Sequence, residues 1–160
     1  MTINSTATRD KSNCSARKKI PLAHRRKARQ LILQALYQWL LAETKPRLIT
    51  QQFREENEGN IDWDYFDEVF IEIPKIVDDL DEHLIPVLDR KPDALDPIEK
   101  ALLYLGTFEL AHRIDVPYKV VINECIELAK VFGATDSHKY INGVLDKMVV
   151  KLRPIELSAK

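Results

Sequence analysis

Apolar residues recur along most of this chain at intervals of three and four, the period of an α-helix buried on one side. Between Leu22 and Thr44 they fall at Ala28, Leu31, Ile32, Ala35, Leu36, Trp39 and Leu40. The pair Lys45-Pro46 ends this first helix, because a residue preceding proline is pushed out of the α region. Ile49 and Phe53 predict a short second helix from Leu48 to about Glu58, closed by Gly59 and Asn60. Asp62 stands where a third would be capped, with Phe66, Val69, Phe70, Ile73, Val77, Leu80 and Leu84 as its core stripe. Pro74 inside that stripe predicts a kink or a break into two helices, and Pro86 with the run Asp89 to Pro92 ends the segment.

The start of the next helix is specified residue by residue. Asp96-Pro97-Ile98-Glu99 puts Asp at the N-cap, Pro at the first helical position and Glu where it reaches back as a capping box. The helix it opens, to about His112, is apolar nearly all round and is expected at the centre. Asp115-Val116-Pro117 opens another, with the stripe Val121, Ile122, Cys125, Ile126, Ala129 and Phe132 ending at Gly133. Asp136 or Ser137 caps the last, which carries Tyr140, Ile141, Val144, Leu145, Met148 and Leu152 before Pro154. No segment alternates with the period of a strand, so the pattern predicts an all-α bundle of about seven helices.

At 160 residues and 45% apolar, the chain has enough to bury for one compact domain. Residues 1–19, rich in Ser, Thr, Asn and Lys, are expected to be a disordered basic polar arm. Residues 20–153 form the helical domain and 154–160 a C-terminal tail. The net charge of -1 conceals an asymmetry. Residues 1–29 hold nine Lys and Arg against the single acid Asp10, leaving 15 bases and 24 acids for the remainder. A basic arm on an acidic body predicts contact with a polyanion over one patch. The cysteines Cys14 and Cys125 form no CxxC motif and no disulfide framework, which points to a reducing compartment. With no secretory core and no long apolar run, the expected location is the cytoplasm.

Catalytic signatures are missing. There is no GxxxxGK[ST], GxSxG, HExxH or GxGxxG, and no two of His24, His83, His112 and His138 stand at metal-ligand spacing. Asp78, Asp79, Asp81 and Glu82 read as a solvated helix face, since oxygen-ligand sites need a loop to wrap the ion. No catalytic residue, metal site or cofactor is therefore expected. The basic head of the first helix, Arg25, Arg26, Lys27 and Arg29, is anchored by the apolar stripe behind it and has to stay wet or meet an anion. Tyr37 follows some turns later, off the core line, where it either stacks on an unpaired base or serves as a core-edge aromatic. About five such cations on single-stranded RNA would give a log–log salt slope of about -3.5, or roughly a hundredfold between 50 and 200 mM.

Two stretches, RRKARQLILQALYQW from Arg25 to Trp39 and DVPYKVVINECIELAKVFGATDSHKYINGVLDK from Asp115 to Lys147, resemble the NusB family of bacterial transcription antitermination factors. The similarity continues through Leu95 to Arg113 and covers nearly all of residues 24–153. It implies two packed three-helix bundles and no enzymatic activity. It also implies binding of the boxA RNA of ribosomal RNA leader transcripts, as a heterodimer with ribosomal protein NusE, in an antitermination complex on RNA polymerase with other Nus factors. Carried across by position, Arg25, Arg26 and Arg29 match the RNA-contacting head, with Lys27 among them, and Tyr37 matches the first-helix tyrosine. Lys139 and Tyr140 match positions near RNA, and Glu99 and Asp136 positions near the partner surface, although capping is a sufficient reason for Glu99. Asn123, Glu124, Asn142 and Gly143 belong to the family motif and read as helix packing and hydrogen bonding. The long polar arm, Lys27 among arginines and Tyr140 in place of Phe depart from the family pattern. Two other readings stay open: a protein-interaction scaffold or homodimer, and a detached RNA-binding module of the ribosomal RNA methyltransferase type.

Overall fold

The computed structural model describes residues 20–159; the expected N-terminal arm, with Cys14, lies outside the described residues. Among those described there are eight α-helices and no strand. They are α1 (Leu22–Ala42), α2 (Pro46–Glu56), α3 (Trp63–Lys75), α4 (Val77–Leu84), α5 (Pro97–His112), α6 (Tyr118–Phe132), α7 (Ser137–Leu152) and α8 (Pro154–Ser158). Short 3-10 turns at Ile85–Val87 and Pro92–Ala94 link α4 to α5. Helices α1, α2 and α3 pack as one set of three and α5, α6 and α7 as another, joined where α1, α3 and α4 lie on α5. A single apolar core runs through both sets. No described helix is long and apolar enough to cross a membrane.

Local chemistry accounts for the boundaries. Glu43 takes the left-handed conformation (φ 54°) after α1, and Pro46 sits in the first turn of α2, slightly ahead of the expected start. The Asp62 carboxylate accepts the Tyr65 N–H at 3.1 Å, capping α3. Pro74 breaks the third helix as expected, but the break falls at Ile76 (φ -118°, ψ 23°), after which α4 restarts at Val77. The new direction lays α4 on α5, where the Tyr104 hydroxyl donates to Asp81 at 2.9 Å. The capping box of α5 is complete, with Glu99 N–H to Asp96 at 2.8 Å and Asp96 N–H to Glu99 at 3.4 Å.

Every residue of α5 from Ala101 to Leu110 is buried. At Gly106 the packing is so close that a Cβ would lie 2.8 Å from Leu145 Cδ2 and 3.4 Å from Cys125 Sγ. Gly133, the C-cap of α6, has extended backbone rather than the left-handed form; a Cβ there would lie 2.8 Å from the Ala129 carbonyl. Glycine is needed at that position for approach.

The end of α5 is closed from a distance. Arg153, 3% exposed, donates to the carbonyls of Leu110 at 2.8 Å, Glu109 at 3.1 Å and Arg113 at 3.0 Å. A cation thus satisfies the last carbonyls of a helix it does not belong to. Glu156 pairs with Arg153 and accepts the Tyr118 N–H at 2.9 Å, so the short α8 ties the end of α5 to the start of α6. This last helix begins at a proline, where the apolar pattern had stopped, and takes the count from about seven to eight.

Candidate nucleic-acid interface

Successive residues of an α-helix point about 100° apart, so four cations in five positions cannot share one face. On α1 they separate three ways. Arg25 turns toward α3, where its Nε lies 3.3 Å from Asp62 and its guanidinium 4.2 Å from the centre of the Tyr65 ring. Arg26 turns toward α6 and donates its Nε–H to both oxygens of Glu124, at 3.1 and 3.2 Å, while its side chain stays 71% exposed. Lys27, half-buried, faces the same cleft and has no carboxylate at ion-pair distance among the described residues.

Arg29 turns inward. Its Nη2 lies 2.9 Å from Glu109 and its Nη1 3.7 Å from Glu124, with the side chain 6% exposed. The Tyr65 hydroxyl donates to the same Glu109 carboxylate, and Glu109 itself is fully buried. The expectation of a wholly wet head therefore fails at Arg29. It stands three and seven residues before Ile32 and Leu36, in line with the buried stripe, and its charge is tolerated because two carboxylates face it. Burial works against the guanidinium's charge, but Glu109, Tyr65 and Glu124 outweigh it and hold the pKa above the ordinary arginine value. Burial, reinforced by Glu109, pushes the Tyr65 phenol far up, so it remains a neutral donor.

Two clefts follow one another along α1, the first against α6 and the second mainly against α2. The first, about 630 Å³, is lined by Arg26, Lys27, Gln30, Asn123, Glu127 and Val131 among others. The second, about 560 Å³, is lined by Tyr37, Leu41, Phe53, Ile98 and Phe132, with Gln34 at its side. The furrow thus changes along its length from a charged stretch, where Arg26 and Lys27 stand beside Glu124 and Glu127, to an apolar one. Tyr37 is 36% exposed at its edge, off the core as its position predicted. Gln38 is tied to Gln52 at 3.0 Å, whereas the carboxamides of Gln30 and Gln34 carry no hydrogen bond within the described chain.

Ile98 leads from this furrow to the remaining candidates. Its neighbour Glu99, besides closing the capping box, accepts the Ser137 hydroxyl at 3.1 Å and so fastens the start of α7 to the start of α5. Asp136 makes no side-chain cap; it is exposed and lies 3.6 Å from the ammonium of Lys139. Tyr140 is half-buried, and the guanidinium of Arg90 covers its ring at 4.1 Å from the centre. Arg90 was not singled out by the sequence, which gives no local signal for a partner 50 residues ahead. Its 2.9 Å bond to Asp89 holds that carboxyl below the ordinary range.

Away from this surface, Cys125 is fully buried and burial pushes its thiol far up, so it stays protonated and unreactive. No group of three or more His, Cys, Asp or Glu among the described residues could hold a metal ion.

The model of the NusB family matches residues 26–150. The chain belongs to the NusB family. It is 51% identical over 152 residues to the transcription antitermination protein NusB of Pseudomonas fluorescens, covering 94% of this chain and 92% of that one. With its namesake from Pasteurella multocida it shares 51% over 128 residues, 79% of this chain and 89% of the other. Among solved structures, T. maritima NusB aligns with a TM-score of 0.70 at 24% identity, covering 83% of this chain and 96% of that chain. NusB in a complex of the antitermination factors NusB and NusE with dsRNA aligns with a TM-score of 0.73 at 24% identity, covering 82% and 99%. These two share the fold, in agreement with the expected all-helical architecture.

Proposed function

We propose that this chain is an RNA-binding transcription antitermination factor that takes boxA RNA of ribosomal RNA leader transcripts as a heterodimer with ribosomal protein NusE. The observation that carries this reading is the exposed Arg26 beside the unpaired Lys27, opening into a furrow that ends at Tyr37. Arg26 and Lys27 meet phosphates, with Arg25 at the margin, and Tyr37 offers its ring to a base. Lys139 and Tyr140 extend the RNA surface, with Arg90 beside them, and Glu99 and Asp136 lie toward the protein partner. Arg29 supports the head from inside. The names of the relatives and the NusB–NusE–dsRNA complex of the same fold support the assignment. In this reading the chain is not an enzyme and works in the cytoplasm, within the antitermination complex on RNA polymerase.

Burial of Arg29 and the lower exposure of Arg25, held against Asp62 and the Tyr65 ring, reduce the electrostatic footprint. With Arg26, Lys27 and Lys139 as the main phosphate contacts, the salt slope becomes about -2, or roughly twentyfold between 50 and 200 mM. Fluorescence anisotropy with a boxA-like RNA and a scrambled control, with and without NusE, at those two salt concentrations tests this. NusE should tighten binding to boxA over the scramble, and Arg26→Ala with Lys27→Ala should abolish most of it. Equal weak binding to both RNAs, indifferent to NusE, would put the scaffold reading first.

A further inference from the structure

We infer that Glu124 is a positioning residue for RNA binding, aiming Arg26 from the facing helix. The inference rests on the functional reading above, in which Arg26 contacts RNA. Both oxygens of Glu124 take the Nε–H of Arg26, at 3.1 and 3.2 Å. A guanidinium has five N–H donors, so this grip uses one and leaves the four on its outer nitrogens to a phosphate.

Glu124 is itself held. Its side chain is 11% exposed, and Arg29 reaches it at 3.7 Å from below while gripping Glu109 at 2.9 Å. Charges therefore alternate from the centre of the molecule outward, from Glu109 on α5 through Arg29 on α1 and Glu124 on α6 to Arg26 on α1. The outermost member is an otherwise flexible arginine on the surface. Lys27 beside it has no such support, and Arg29 keeps its closer partner Glu109 at 2.9 Å, so the effect of Glu124 on RNA passes through Arg26.

The sign of the effect separates positioning from plain charge. A carboxylate beside a phosphate site repels the ligand, so neutralising it tightens RNA binding if charge alone matters. If Glu124 aims Arg26, neutralising it frees the side chain to wander and weakens binding. The experiment is anisotropy titration of Glu124→Gln, Arg26→Ala and the double variant with boxA-like and scrambled RNA in the presence of NusE. Thermal melting and circular dichroism of each variant report on the fold, and Arg29 keeps Glu109 in all of them.

Glu124→Gln should weaken boxA binding by about threefold to tenfold, narrow its margin over the scramble, and have no further effect once Arg26 is alanine. Glu124→Asp, which keeps the charge but shortens the reach, should behave like Glu124→Gln. Tighter binding of both RNAs by Glu124→Gln, or an equal loss with Arg26 already absent, would overturn the proposal. If Arg26→Ala alone leaves boxA binding unchanged, the reading of Arg26 as an RNA contact fails first and takes this inference with it.

Discussion

Along α5, Gly106 lies against Leu145 and Cys125, and three residues later Glu109 meets Arg29 and Tyr65. The first region is the seam of α5, α6 and α7, where shape decides the arrangement: the methyl groups of Leu145 and the sulfur of Cys125 fill the space that a side chain at residue 106 would take. The second is the junction of α1, α3 and α5, where two charges and a phenol are taken out of water together. In the seam, any residue of the right volume keeps the contact, and a wrong volume is felt at once. At the junction volume matters less, because one partner without the other leaves an isolated ion inside the molecule. The junction therefore locks the orientation of α1, and with it the direction in which Arg26 and Lys27 leave the helix.

The comparison breaks most readily at Arg29. Arg29→Ala leaves Glu109 buried without its cation, and the expected loss is about 3–5 kcal/mol in chemical denaturation, against under about 1 kcal/mol for Arg26→Ala on the surface. If the two variants melt alike, the junction is not the lock described. Replacing Arg29 and Glu109 together by Met and Gln should cost less than Arg29→Ala alone. In the seam, Leu145→Ala should cost about 2–5 kcal/mol through the cavity it leaves, and Gly106→Val about 1–3 kcal/mol through overpacking. A Gly106→Val protein that melts at the wild-type temperature would show that the helices have room to part. The smallest effect is expected at the edge of both regions: Asp96→Ala removes the cap of α5 and should lower stability by about 1 kcal/mol, read as a small shift in the denaturation midpoint.

What could be read from the sequence follows the same division. The cap at Asp62, the capping box at Asp96 and Glu99, and the break after Pro74 depend on residues within a few positions of one another, and all appear in the structure. The buried α5 was legible because its apolar residues leave no polar face. The destination of Arg29 was not, since its partners lie 80 and 95 positions away and a cation among cations looks like surface. Two clues existed: Arg29 is in register with Ile32 and Leu36, and Glu109 is the one charged residue in the buried run from Ala101 to Leu110. The Arg90–Tyr140 stack and the remote capping by Arg153 have no local signature at all, because each depends on which helix end arrives beside it, whereas Gly133, crowded by Ala129 and Ser137 four positions to either side, could be read as a helix end.

The 80 residues between Arg29 and Glu109 also impose an order on synthesis. A ribosome adding about 5–20 residues per second releases Arg29 roughly 4–16 seconds before Glu109 exists to receive it. During that interval α1 can meet α2 and α3, and Arg25 can meet Asp62, but Arg29 has no carboxylate to enter the interior with. A contact anchored in the part of the molecule made first is thus completed only by the part made later.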